Sequence, residues 1–283
     1  MEAPGLLNKE VHPLVEKITG LHAAIAKLPS LSPTPAVRVL FADLVTTCLQ
    51  ASPVIDVSWL GPDADKMRHE LVRLCVDAEG KLEAHYSDVL AAFDNPLDHL
   101  AMFPSYGRYV NMSRVEYGLL ARHGARRPTR VAFVGSGPLP LSSILLAARH
   151  LPDTLFDNYD RCGAANDRAR RLVGADGEVG ARMAFHTADV ANLTGELAAY
   201  DVVFLAALVG ADAAEKEKLV AHLGKHMAAG AVLAVRTAHG ARAFLRPTVD
   251  PEAVRRGGFD VVAVHRAEGE AINSVIVASK RWT

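Results

Sequence analysis

The chain has 283 residues, half of them apolar and 22% charged, enough for one large domain or two modest ones with a substantial core. Its 31 basic and 32 acidic residues leave a formal charge of −1. That balance excludes a long-range field drawing in nucleic acid or an anionic membrane, and no aromatic-rich basic strip suggests base stacking.

In chain order, the first half is helical in period. Leu14, Ile18, Leu21, Ile25 and Leu28 recur three or four apart, and Pro29, Pro33 and Pro35 end that helix. Val37, Leu40, Leu44 and Cys48 make a second. Met67, Leu71, Leu74, Ala78 and Leu82 begin a third that runs on through Val89, Leu90 and Phe93 until Asn95-Pro96 breaks it. A last helix is predicted from Tyr109 to Arg122, with Gly118 costing it about 1 kcal/mol relative to alanine.

The pattern changes at Pro128. Short apolar strands are predicted at 131–134, 155–159, 184–186, 202–205, 232–235, 261–264 and 274–278, with helices between the first five and a hairpin from the last two. Continuous apolar strands alternating with helices specify an α/β fold, a mostly parallel Rossmann-type sheet covered on both faces. Five such units ending in an antiparallel pair give the layout of an S-adenosylmethionine (SAM) methyltransferase. The expected domains are a helical bundle over 1–127 and a SAM-binding sheet over 128–283.

The strongest motif is Val134-Gly135-Ser136-Gly137-Pro138-Leu139-Pro140, a strand running into glycines with a helix expected to start at the prolines. It is neither a phosphate-binding GxxxxGK[ST] loop nor a full GxGxxG. A lone GxG is weak evidence and also serves as a plain strand–helix turn, so the later strands decide. The second ends at Asp160, where an acid takes the ribose hydroxyls of a nucleoside. The third leads to Asp189, placed to accept an adenine amino group. Each aspartate alone reads equally as a loop acid or helix cap; three such features at consecutive strand ends favour the nucleoside.

Gly135 to Pro140, Leu155 to Asp160, Phe185 to Asp189 and Val203 to Gly210 resemble the nicotianamine synthase family, as do Glu16 to His22, Lys81 to Tyr86 and Phe93 to Leu97 in the first half. The resemblance implies an aminocarboxypropyl transferase that condenses three SAM molecules into nicotianamine and releases three methylthioadenosines. It implies Glu83 and Tyr109 as the proton-removing pair, delivered by a helical half that roofs the site. Gly135, Ser136, Gly137, Pro138, Asp160, Asp189 and Ala206 are the expected SAM contacts. No cofactor is expected beyond SAM, which is the substrate. A plant role in nicotianamine biosynthesis, iron homeostasis and the phytosiderophore pathway also follows from the resemblance.

Substrate carboxylates call for a cation, and Arg236 at the end of the fifth strand is placed for a bidentate grip, or else makes a surface salt bridge. His239 is a second substrate-binding candidate. His222 and His226 lie four apart on a helix without further metal ligands and are expected to face solvent, so no metal site is predicted. Ser105 and Arg246 stand where plant members of the family carry tyrosine, and Gly118 replaces a helix-favouring acid.

Met1-Glu2-Ala3-Pro4 shows no leader pattern and no apolar run approaches the roughly 20 residues that span a bilayer. Cys48, Cys75 and Cys162 are odd in number and in no ligand spacing, so a cytoplasmic location is expected. The alternatives are an ordinary SAM methyltransferase, which would need an acceptor, and a synthase-like paralogue with little or no turnover.

Overall fold

The computed structural model describes residues 4–51, 55, 57, 60–210 and 212–282, with side chains from residue 12 onward. Met1, Glu2 and Ala3, read for a leader, lie outside the described residues. The helical half comprises α1 (Pro4–Ala26), α2 (Pro35–Gln50), α3 (Pro62–Leu90) and α4 (Tyr106–Arg122), with a 3-10 turn at Pro96–Met102 before α4. Thr34 caps α2, its hydroxyl accepting from the Val37 N–H at 3.4 Å, and Pro35 opens the helix with its fixed φ. Asp63 and Asp65 sit in the first turn of α3, where the helix dipole favours negative charge. The four helices expected in this half are present, but α3 ends at Leu90, short of Phe93. The last starts three residues earlier than expected, at Tyr106.

Ile18, Ile25, Leu44, Cys48 and Leu71 bury the periodic faces of α1–α3 against one another. Ala241, Phe244 and Leu245, from a loop far along the chain, complete that core. Conversely, Leu119 and Leu120 of α4 pack on Val131, Phe133 and Phe204 of the sheet. Chain character changes at Pro128, but the packing changes at α4, and the two halves hold one another.

The sheet has seven strands in the order β3-β2-β1-β4-β5-β7-β6. They are β1 (Arg130–Val134), β2 (Leu155–Asp160), β3 (Met183–Thr187), β4 (Val202–Leu205), β5 (Val232–Thr237), β6 (Phe259–His265) and β7 (Ser274–Lys280). The first five are parallel, and β7 is antiparallel to both β5 and β6, as the hairpin expectation required. Helices α5 (Leu141–Arg149), α6 (Gly163–Val173) and α7 (Ala213–His226) cover the faces, and a short α8 (Pro251–Arg256) precedes β6.

One connection departs from expectation. Between β3 and β4 there is no α-helix, only 3-10 turns at Val190–Asn192 and Gly195–Ala199. Asp189 caps the first turn and Gly195 begins the second, so local side-chain bonding and backbone freedom interrupt what would have been a helix. The strand order reverses between β1 and β4, the crevice where open α/β sheets place their ligands.

Candidate active site

A cavity of about 850 Å³ opens above the carboxyl ends of β1, β2, β4 and β5. Its floor is the glycine turn after β1. Gly135 and Gly137 adopt φ of 80° and 68°, the left-handed region that disfavours a side chain. The turn is fastened to β2: Gly135 and Ser136 donate backbone N–H groups to the Tyr159 carbonyl at 2.8 and 3.2 Å, and Gly137 N–H donates to Asp160 Oδ2 at 3.0 Å. The α5 helix begins only at Leu141, so Pro138 and Pro140 precede it rather than forming its first turn.

Asp160 Oδ1 accepts from Cys162 N–H at 2.8 Å. Each carboxylate oxygen has two lone pairs, so both retain acceptor capacity toward the cavity. Asp189 is exposed on the cavity wall and also caps the 190–192 turn, Oδ1 accepting from Ala191 N–H at 2.9 Å. Ser136, Pro138 and Ala206 line the cavity too, and the Ser136 hydroxyl is buried with no protein hydrogen-bond partner among the described residues.

The roof comes from α3 and α4. Tyr109 donates its hydroxyl to Glu83 Oε1 at 3.2 Å, joining residues 26 apart in the chain. Burial raises the Glu83 pKa well above the carboxylate range; the Glu79 charge adds to the rise, while the Tyr109 hydrogen bond and Arg246 oppose it. Burial also raises Tyr109, reinforced by Glu83, so its hydroxyl stays protonated at neutral pH.

Glu83 meets the floor closely. A Cβ built on Gly137 falls 2.7 Å from Glu83 Oε2. Gly137→Ala therefore combines a strained φ with displacement of the roof carboxylate. It is expected to weaken SAM binding at least about tenfold, a loss near 1.4 kcal/mol. Titration calorimetry with SAM checks this; unchanged affinity would contradict the close approach.

Arg236 lines the cavity, with its fork engaged by an internal carboxylate. Nε and Nη2 donate to the two carboxylate oxygens of Glu116 at 2.7 and 2.9 Å, and Nη2 also donates to Ser142 Oγ at 2.8 Å. The guanidinium lies 5.3 Å from the centre of the Phe133 ring. The expected bidentate grip exists, on an internal carboxylate 120 residues earlier, and it is a buried pair rather than a surface one.

His239 is corrected more fully. It does not line the cavity; Nδ1 pairs with Ser274 Oγ at 2.7 Å because the extended backbone beyond β5 brings the ring to the start of β7. His222 is half-buried with Nε2 at 2.6 Å from the Leu193 carbonyl, its ring 4.6 Å from that of His226. No cluster of three or more metal-ligating side chains occurs among the described residues.

Sequence reasoning missed four polar groups around this cavity. Arg246 is buried and ion-paired with Glu79, one helical turn before Glu83, and both line the cavity. Asn273, just before β7, lines it with a buried Oδ1 that has no protein partner among the described residues. Lys216 lies beneath, fully buried in α7, donating Nζ to the Ala206 and Ala207 carbonyls at 2.9 and 2.7 Å. Of the four, the sequence singled out only Arg246, as a departure from the family pattern and without a role in the cavity.

Burial, helped by Arg236 and Arg246, lowers the Lys216 pKa from 10.5 to about 7. A neutral amine still has two N–H groups for the two carbonyls. Between pH 7 and 10.5 the unfolded lysine holds a proton that the folded one does not, so this group adds stability as pH rises through that window. From pH 7 to 8.5 the gain is about 1–2 kcal/mol. Urea unfolding of wild type and Lys216→Met at both pH values should show that the variant lacks this increment; parallel pH responses would contradict it.

The family model described as "Nicotianamine synthase protein" matches residues 7–283. Nicotianamine synthase 1 of Oryza sativa subsp. indica is 72% identical over 275 residues, covering 96% of this chain and 82% of the relative. Among solved structures, MtNAS in complex with MTA and tNA superposes with a TM-score of 0.78 at 21% identity, covering 94% of this chain and 97% of the other. A mutant of MtNAS in complex with S-adenosylmethionine gives 0.77 at 21%, covering 95% and 98%. At that identity the two structures establish the shared α/β fold, while the match along nearly the whole chain establishes kinship: the chain belongs to the nicotianamine synthase family.

Proposed function

We propose that this chain is a nicotianamine synthase: it joins three SAM molecules through their aminocarboxypropyl arms and releases three methylthioadenosines. The observation that carries the reading is the position of Glu83, hydrogen-bonded to Tyr109 and pressed against Gly137 of the glycine turn. The 72% identity to a rice relative named as a synthase supports it.

In this reading Gly135, Ser136, Gly137 and Pro138 seat the SAM, Asp160 accepts from the ribose and Asp189 from the adenine. Ala206 packs beside them. The α-amino nitrogen of one unit attacks Cγ of another SAM. A C–N bond forms, the C–S bond breaks, and its electron pair returns to the sulfonium, which leaves as neutral methylthioadenosine. The ammonium proton passes to Glu83. Because burial raises the carboxyl, its affinity for that proton is closer to the amine's than an exposed glutamate's would be. Two such steps join three units, and an internal attack closes the azetidine ring with loss of the third methylthioadenosine. The sulfonium supplies the leaving group, so the protein's work is alignment and proton removal.

The helical half, residues 1–127, acts as the roof that brings Glu83 and Tyr109 over the 128–283 sheet. An ordinary methyltransferase would require no such roof. Mass spectrometry after incubation with SAM alone separates the two: methylthioadenosine is expected, whereas S-adenosylhomocysteine formed only with an added acceptor would sink the synthase reading.

The cytoplasm is the proposed location, supported by three free cysteines, two of them buried. Iron homeostasis and the phytosiderophore pathway are the proposed context, resting on a product that carries amines and carboxylates able to chelate metal. No described helix is long and apolar enough to cross a membrane.

A further inference from the structure

The cavity has two chemically different ends. The glycine turn and Asp160 end β1 and β2; Arg246 and Asn273 come from the chain between β5 and β7, with Arg246 paired to Glu79 of α3, and all line the cavity. The second end is built rather than incidental. Arg246 follows Phe244 and Leu245, both fixed in the bundle core, and Nη1 donates to the Leu245 carbonyl at 2.9 Å. Nη2 donates to Glu79 Oε2. The loop carrying Asn273 is braced by Arg242, whose Nε and Nη2 donate to the carbonyls of Ala271 and Gly269 at 2.8 Å each.

Arg246 and Glu79 do not exhaust one another. A guanidinium has five N–H groups, and the two contacts leave further donors; a carboxylate likewise accepts more than one bond. A cation and an anion side by side, with the orphaned Asn273 acceptor on the same cavity, match a zwitterionic amino-acid head group. The carboxylate meets Arg246, and the ammonium meets Glu79 and Asn273. Glu83 lies one helical turn beyond Glu79, about 6 Å along α3. An ammonium held there stands beside the proposed base.

We propose that Arg246, Glu79 and Asn273 form the subsite that holds the amino-acid end of the attacking unit, distinct from the nucleoside end at Asp160. The assignment deepens the synthase reading and rests on it. Arg246 is then a substrate-binding residue, and a tyrosine there would offer one hydroxyl in place of a charged fork.

The test uses the whole chain and equilibrium binding, so it does not depend on turnover. With methylthioadenosine saturating the nucleoside end, NMR titration measures the affinity of L-2-aminobutyrate, the bare aminocarboxypropyl unit, and of its carboxamide. Wild type is expected to prefer the carboxylate by about tenfold or more. Arg246→Gln should bring the two ligands within about twofold, and Arg246→Lys should fall between, with methylthioadenosine affinity unchanged in both. Equal affinities in wild type would overturn the proposal even if no variant folds. So would a tenfold preference surviving in Arg246→Gln, or a parallel loss of methylthioadenosine binding. A wild type that binds aminobutyrate as expected but releases no methylthioadenosine from SAM would refute the synthase reading and leave the subsite standing.

Discussion

Glu83→Gln is expected to lower methylthioadenosine release from SAM by about 10²- to 10⁴-fold, the range of a positioned general base. The amide keeps the size of the carboxyl and can still meet the Tyr109 hydroxyl at Oε1, so the roof stays in place. It cannot take a proton from an ammonium. SAM affinity should therefore change little, and the loss should lie in kcat. The pH profile adds a second reading. In wild type the rate rises as Glu83 ionises, at a pH above the ordinary carboxylate range because burial raises it; in the variant that limb should vanish. Turnover within about tenfold of wild type would remove Glu83 from the role of base.

Arg236→Met is expected to be the most destabilising single change, by about 3–5 kcal/mol. The partner, Glu116, has a side chain with no solvent exposure, and the substitution leaves its charge buried without a counterion while also removing the donor to Ser142 Oγ. Adding Glu116→Gln removes the stranded charge, so the double variant should recover much of the loss. Urea denaturation of the two single variants and the double measures the coupling. Additive losses would show that the pair is not one unit. Because Arg236 bridges α4 and β5, the pair fixes the height of the roof above the sheet, and a defect in it should also weaken SAM turnover.

The sheet was legible because a strand covered on both faces must be apolar throughout, and Val131–Val134 or Val232–Val235 can be little else. The helical faces were legible by the same burial. The β3–β4 connection was misread because turn-forming Asp189 and Gly195 outweighed a stretch long enough for a short helix. At the site, the glycine turn and Asp160 announced themselves, since close backbone approach demands glycine. Glu83 and Tyr109 came only from resemblance; by periodicity they lie on amphipathic helices like many others.

What the sequence hid was pairing across distance. Nothing local links Arg236 to Glu116, and a strand-end arginine above a cleft reads as a substrate cation until its partner is seen. Lys216 sits in a run of lysines and glutamates that resembles a solvated helix face, yet it is fully buried. Arg246 and Asn273 belong to loops, where no period reports which way a side chain turns. His239 misled for the same reason: it lies beyond the last residue of β5, where strand alternation no longer applies.

The most direct test of the condensing activity is stoichiometric. Purified protein is incubated with SAM alone, and methylthioadenosine and nicotianamine are quantified together by mass spectrometry. Three methylthioadenosines per nicotianamine, with no S-adenosylhomocysteine, is the expected result. Methylthioadenosine without nicotianamine, or SAM bound without turnover at high protein concentration, would contradict the assignment.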